Sequence, residues 1–240
     1  MIKTVLMIAV LTFSLILSQV NTEVMRKNNQ SGGIKHNLIL DFSYFSGSSD
    51  VIQLMGSYRI DYLLNSNWYG FFNGYYNREF AKNKDDFSNR GFIHFRVAKP
   101  IMNYVDIEGF LQKETNQFIN LENRELNGGG LRINQFEKLY FGVGAMHEME
   151  KYNSNSIEQK FIKSTNYINY KTIIFEIINL QNVIYYQFKV EEPSDFRIFW
   201  DGNMNAPISK GISFNINIHY QLDNNGKRYF ESSNGLSFQF

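Results

Sequence analysis

Cysteine is absent from this chain of 240 residues. Its absence excludes disulfide bonds, a thiolate nucleophile, cysteine-ligated metals and a lipidated cysteine. Proline is scarce, with three residues, and neither sign of charge dominates, since 24 Lys and Arg face 23 Asp and Glu. A balanced charge gives no reason to expect nucleic acid or another polyanion as a partner.

Long apolar runs are also lacking, except at the start of the chain. MIKTVLMIAVLTFSLILS has one early lysine, Lys3, followed by about 15 mostly apolar residues, which is the layout of a secretory signal. This run is shorter than the roughly 20 apolar residues that a membrane-spanning helix needs. We therefore predict a signal peptide over residues 1–18, with a retained N-terminal anchor as the alternative. Residues 19–32 are predicted to form a flexible periplasmic segment.

The chain is instead rich in aromatic residues, with 15 Tyr and 22 Phe, and in strict alternation of apolar and polar side chains. In GISFNINIHYQL, residues 211–222, every second side chain from Ile212 to Leu222 is apolar and those between are polar. This period predicts a β-strand with one apolar face. Runs of this kind cover residues 33–44, 51–63, 67–79, 90–99, 104–114, 124–133, 139–150, 164–175, 182–191, 196–206, 211–221 and 227–240.

The lengths and connections of these runs are typical of a membrane barrel. Several are about 10 to 13 residues long, close to the roughly 9–11 that cross a bilayer and beyond the 5–6 of soluble sheets. All three prolines, Pro100, Pro193 and Pro207, fall between runs, as expected for a residue that cannot donate to a sheet. The connections alternate between short turns and longer polar loops, and each of the stretches REFAKNKDDFSNR, KETNQFINLENRE and EMEKYNSNSIEQKFIK includes one of these loops.

These features predict an all-β fold, a transmembrane antiparallel up-and-down β-barrel of about twelve strands over residues 33–240. Short periplasmic turns and longer extracellular loops are expected. The predicted location is the outer membrane of a Gram-negative (diderm) bacterium, with lipid against the apolar face. A soluble β-sandwich, which also alternates, is the alternative.

The last eight residues, SNGLSFQF, place three apolar side chains on one strand face. Their order, with Ser233, Gly235, Phe238 and Phe240 at the key positions, resembles the C-terminal assembly signal of outer-membrane barrels. The resemblance implies the barrel-assembly machinery as a partner. In a closed barrel this last strand pairs with the first, and lipid covers its apolar face.

Four stretches carry a resemblance to a family: YFSGSSD at 44–50, RELNGGGLRI at 124–133, LYFGVGAMHEMEKY at 139–152 and the closing NGLSFQF. Through them the chain resembles the uncharacterised salt-stress-induced outer-membrane proteins, a domain of unknown function, over about residues 33 to 240. The resemblance implies an outer-membrane barrel. It implies no catalytic residues.

Alternation also places many charged side chains on the polar face, toward the lumen of the predicted barrel. They are Asp41, Arg59, Asp61, Arg96, Asp106, Glu108, Arg132, Glu148, Lys171, Lys189, Arg197 and Asp201. Arg96 is predicted to pair with Asp106 and Glu108, because a tight turn joins their strands. Mixed signs indicate charges that compensate one another rather than a selectivity ring. The alternative is a polar conduit for an unknown small solute.

No enzyme, cofactor or metal site is predicted. HEMEK at 147–151 lacks the second histidine of the HExxH zinc motif. Lipid-hydrolysing barrels need a serine two residues after a histidine, and none of His36, His94, His147 and His219 has one. The predicted function is a narrow conduit or an envelope-maintenance barrel with a charged lumen. A surface-interaction protein that acts through long loops is the alternative, and a lipid-modifying enzyme is disfavoured.

Overall fold

The computed structural model describes residues 23, 33–45, 51–63, 67–81, 88–117, 120–134, 136–153, 155–210, 212–224, 226 and 228–238. The predicted signal peptide, most of the predicted periplasmic segment and Phe240 lie outside these residues. The domain boundaries therefore stay predictions. The described residues contain no helix that is long and apolar enough to cross a membrane.

The described residues form twelve strands. They are β1 (Gly33–Phe45), β2 (Val51–Leu63), β3 (Tyr69–Ala81), β4 (Ser88–Met102), β5 (Val105–Asn116), β6 (Leu121–Ile133), β7 (Leu139–Tyr152), β8 (Asn155–Ile174), β9 (Ile178–Lys189), β10 (Phe196–Ser209), β11 (Ile212–Asp223) and β12 (Arg228–Phe238). Each strand pairs antiparallel with the next one in sequence. The prediction of an all-β, antiparallel, up-and-down architecture is confirmed. Within the described residues no pairing joins β1 to β12, so closure stays a prediction.

The sheet is strongly curved. Tyr167 on β8 donates a hydrogen bond of 3.4 Å to Oε2 of Glu108 on β5, although β6 and β7 lie between these two strands. The carboxylate of Glu23 likewise contacts side chains from β4, β6 and β8. Side chains of distant strands meet only on a concave face, which we call the inner face.

Alternation decides which side chains lie on that face. On β4 the side chains of Phe92, His94 and Arg96 are buried on the inner face, whereas Ile93 and Phe95 between them are exposed on the outer face. Large apolar side chains are exposed along the outer face of other strands too, as at Leu40 on β1, Val143 on β7 and Ile184 on β9. Water-soluble domains have the opposite arrangement, in which charges are exposed and apolar groups are buried.

Two loops are shorter than the sequence predicts. β8 begins at Asn155, so only residues 153–154 separate it from β7, and only residues 117–120 separate β5 from β6. Most of the residues predicted as loop at these two connections, 115–123 and 151–163, are strand. Lys151 of β7, for example, contacts Glu122 of β6 across the sheet at 2.7 Å. The prediction of long loops is wrong at these two connections.

Two of the three prolines lie within strands, contrary to the prediction. Pro100 is in β4 and Pro207 is in β10, and the residue after each, Ile101 or Ile208, is left out of the pairing register. Each proline thus lies next to a β-bulge, a place where sheets tolerate proline. Pro193 does lie between strands, β9 and β10.

Glycine allows a close contact between β7 and β8. Gly142 is paired with Tyr167, and the tyrosine ring lies directly over the glycine. A Cβ atom at Gly142 would overlap that ring. Because Gly142 has no side chain, the ring of Tyr167 can lie where its hydroxyl reaches Glu108.

Candidate functional site: the ionic inner face

The charged residues that the sequence predicts for the polar face lie on the inner face, except Asp41, whose side chain is not described. They are Arg59, Asp61, Arg96, Asp106, Glu108, Arg132, Glu148, Lys171, Lys189, Arg197 and Asp201. Their function as a lumen charge network stays a prediction. Most form ion pairs with one another or with neighbours on the same face.

The predicted pairing across the turn between β4 and β5 is partly present. Nη1 of Arg96 lies 3.3 Å from Oε2 of Glu108. Asp106 instead contacts Arg132 on β6, at 3.6 Å. Near the same end of the sheet, Arg59 donates two hydrogen bonds to its neighbour Asp61, at 2.7 and 2.5 Å.

Glu23 joins this group, although it is outside the sheet. Its carboxylate is fully buried and accepts hydrogen bonds from Arg96 at 3.3 Å, Arg132 at 3.3 Å and Asn169 at 2.9 Å. The side chain of Gln181 donates to the backbone oxygen of Glu23 at 3.5 Å. We call Glu23, Arg96, Arg132, Asn169 and Gln181 the Glu23 cluster. No sequence pattern indicated it, because Glu23 is far from its partners along the chain.

A second group lies toward the opposite ends of the same strands and is centred on Arg124 of β6. Arg124 contacts Glu150 at 2.9 Å, Glu148 at 3.3 Å and Glu114 at 3.4 Å. Lys163 on β8 adds a second cation, 2.6 Å from Glu148. We call these five residues the Arg124 cluster. The sequence prediction found only Glu148, although alternation from Arg132 places Arg124 on the same face.

Aromatic and apolar side chains fill the space between the two clusters. The ring of His94 packs against Phe92, Phe71 and Phe110 and hydrogen-bonds to Gln112 at 3.2 Å. A cavity of about 40 Å³ lies beside this layer. One water needs roughly 10–15 Å³ of such space, so the cavity has room for only a few waters. Side chains therefore close most of the space along β4 to β9.

The inner face of β10 and β11 is different, because amides predominate and burial is lower. Asn203 donates to Asn217, and Asn205 donates to Asn215 at 2.6 Å. Asn217 is exposed, and the other three are partly exposed. Next to them, Asp201 is hydrogen-bonded to Nδ1 of His219 at 2.6 Å. This part of the inner face is polar and open.

The four histidines are divided between the two faces of the sheet. His94 and His219 lie on the inner face, whereas His36 and His147 lie on the outer face. Among the described residues, no group of three or more histidine, aspartate or glutamate side chains is arranged to hold a metal ion.

The predicted assembly signal lies partly within the structure. Ser233, Gly235 and Phe238 belong to β12 and pair with residues of β11. Their side chains are not described, and Phe240 lies beyond the described residues. Recognition of this strand by an assembly machinery stays a prediction.

Comparison with known proteins gives similar folds only. No family model matches the sequence, and no curated protein matches it. The resemblance to salt-stress-induced outer-membrane proteins therefore stays a prediction.

Several solved structures are similar to this chain at low identity. The KdgM porin is 12% identical, with a TM-score of 0.45 over 86% of this chain and 98% of that one. The NanC porin is 11% identical, with a TM-score of 0.49 over 86% and 99%. The translocator domain of the autotransporter NalP from Neisseria meningitidis is 10% identical, with a TM-score of 0.49 over 91% and 92%. Similarity at this level carries no argument about function.

Proposed function

We propose that the chain is a closed twelve-stranded β-barrel of the outer membrane of a diderm bacterium, and that it conducts small polar solutes. One observation carries the proposal: ionic side chains are buried on the inner face while large apolar side chains are exposed on the outer face. Arg124 and Glu148 are 0% exposed, whereas Leu40 is 77% and Val143 is 59% exposed. Lipid around the sheet is the environment in which this distribution is favourable.

Closure follows from the same environment. In hydrocarbon each unpaired backbone N–H or C=O group costs several kcal/mol, so a sheet edge cannot remain open there. β1 and β12 are the two edge strands of the described sheet. Pairing between them would satisfy both edges at once and would enclose the inner face as a lumen.

The uneven filling of the inner face supports a narrow conduit. Side chains close the space along β4 to β9, but the amides of β10 and β11, among them Asn203 and Asn217, are still exposed to solvent in part. Amides bind water and many polar solutes without strong preference for one sign of charge. We therefore expect a small, weakly selective path along this wall, with the partly exposed Asp201 as a neighbouring charge.

Planar-bilayer recordings of the refolded protein test the proposal. We expect small conductance steps, and Asp201→Asn should shift the reversal potential toward anion preference in a salt gradient. Glu176→Gln is the matched control, because it removes the same charge from the exposed turn at 175–177, where salt screens it. A folded barrel that inserts and stays silent would exclude the conduit and favour envelope maintenance. Interaction through long loops has less support, because two of those loops are short.

A further inference from the structure

We infer that Arg96, Arg132, Asn169 and Gln181 form a carboxylate-binding site on the inner face, that Glu23 occupies it in cis, and that carboxylate-bearing solutes compete for it. The inference deepens the proposed function, since it names a class of solute and relies on an enclosed inner face for its access. The site itself is described by contacts that do not depend on conduction.

The geometry is that of a site for a carboxylate rather than a single surface ion pair. One oxygen of Glu23 accepts from Nε of Arg132 at 3.3 Å and from the amide of Asn169 at 2.9 Å, and the other accepts from Arg96 at 3.3 Å. Three strands thus supply donors to both oxygens. Charge-assisted bonds from guanidinium groups are among the stronger hydrogen bonds in proteins.

The carboxylate of Glu23 is shared by the two arginines of this site. Arg96 contacts Glu108 as well as Glu23, and Arg132 contacts Asp106 as well as Glu23. Asn169, which is fully buried, donates to the same carboxylate. Without a carboxylate at this position, donors of Arg132 and Asn169 would lose their acceptor, which is costly in a buried position.

The site and its occupant belong to different parts of the chain. The donors lie on strands of the sheet, whereas Glu23 precedes β1 and is joined to it through residues 24–32. A solute carboxylate that binds the same donors must displace Glu23, so the two compete for the site. Arg132 can bind a further oxygen, because its Nη2 has no hydrogen-bond partner among the described residues.

Isothermal titration of the full chain in detergent with sodium succinate, at constant ionic strength, tests the inference. Glu23→Ala should bind succinate about tenfold more tightly than the wild type, because the cis competitor is gone. Glu137→Ala is the matched control, since it removes an exposed glutamate from the bend at 136–138 and should leave the affinity unchanged. Neutral succinamide should not bind to any of the three proteins.

Two further variants assign the binding to this site. Arg132→Gln in the Glu23→Ala background should abolish succinate binding. Asn169→Ala in the same background is a smaller change that should weaken binding severalfold. It provides the test if the arginine variant does not fold. Equal affinity in Glu23→Ala and the wild type, or binding that survives both changes, would overturn the inference. Succinate binding by a silent barrel would reject the conduit and keep the site. Conduction without succinate binding would keep the conduit and reject the site.

Discussion

Arg124 on β6 donates from both Nε and Nη2 to the same oxygen of Glu150 on β7, at 3.1 and 2.9 Å. The pair is buried, and two more carboxylates, those of Glu114 and Glu148, lie within 3.4 Å of the guanidinium. A single guanidinium group thus contacts all three carboxylates of the Arg124 cluster. Its removal would leave several carboxylates with Lys163 as their remaining partner in the Arg124 cluster.

Arg124→Met should therefore destabilise the protein strongly. Loss of one partner from a buried ion pair costs about 3–5 kcal/mol, because the other partner is left uncompensated. The unfolding midpoint in urea, measured in lipid vesicles, reports the change. Lys160→Met is the control, since it breaks an exposed pair with Glu158 that should be worth about 0–1 kcal/mol. Equal midpoints for the two variants would contradict the assignment of Arg124 as the centre of the network.

Ile184→Arg distinguishes a membrane protein from a soluble sheet. The side chain is 48% exposed in the middle of β9, where a soluble protein would tolerate arginine with little change. Facing lipid near the bilayer midplane, the same arginine should cost about 2–4 kcal/mol. Phe175→Arg, in the exposed turn at 175–177, should cost much less. If Ile184→Arg left the stability in vesicles unchanged, the result would argue for a soluble β-sandwich.

Gly142→Ala should lower stability by about 1–3 kcal/mol, the usual cost of overpacking. The new methyl group would displace the ring of Tyr167 and with it the hydrogen bond from Tyr167 to Glu108. Gly109→Ala is the control, because a Cβ there would have no neighbour closer than 3.9 Å. Urea midpoints of the two variants in vesicles make the comparison, and a loss at Gly109 as large as at Gly142 would refute the packing argument.

Deletion of Phe240 tests the predicted assembly signal. Losing one aromatic side chain should weaken a folded barrel by only about 1–3 kcal/mol. A lost recognition element should instead lower the amount in the outer membrane sharply, while protein refolded in detergent keeps its sheet content by circular dichroism. Gln239→Ala should have little effect on either measurement. Normal outer-membrane levels after the deletion would show that this strand carries no signal.

The strands were predictable because their signal is local. The alternation in residues 211–222 places β11, which the structure has at Ile212–Asp223, and the same period gives the inner-face positions of Arg96 and Arg132. The start of β8 was missed because Asn155–Lys163 lacks strict alternation and has charged residues on both faces, which were interpreted as a loop. Strand pairing beyond the apolar region satisfies those charges, and period alone does not reveal this.

The Glu23 cluster was not predictable from local sequence. Glu23 has no alternating neighbours that would assign it to a strand, and its contacts depend on how the curved sheet brings β4, β6 and β8 together. The positions of the two prolines beside bulges were predicted wrongly for a related reason. A bulge depends on the register with the neighbouring strand, so Pro100 and Pro207 looked like boundaries when only their own segment was considered.

The order of the strands along the chain determines which contacts can form early in folding. Each hairpin can form from neighbouring residues, whereas Glu23 is separated from Arg96 by 73 residues and from Gln181 by 158. Contacts between such distant positions form late, because the chain between them must first be ordered. Glu23 can therefore take its place only after β4 to β9 have assembled. Protection of Glu23 from a carboxylate-modifying reagent would mark the moment at which this half of the sheet is complete.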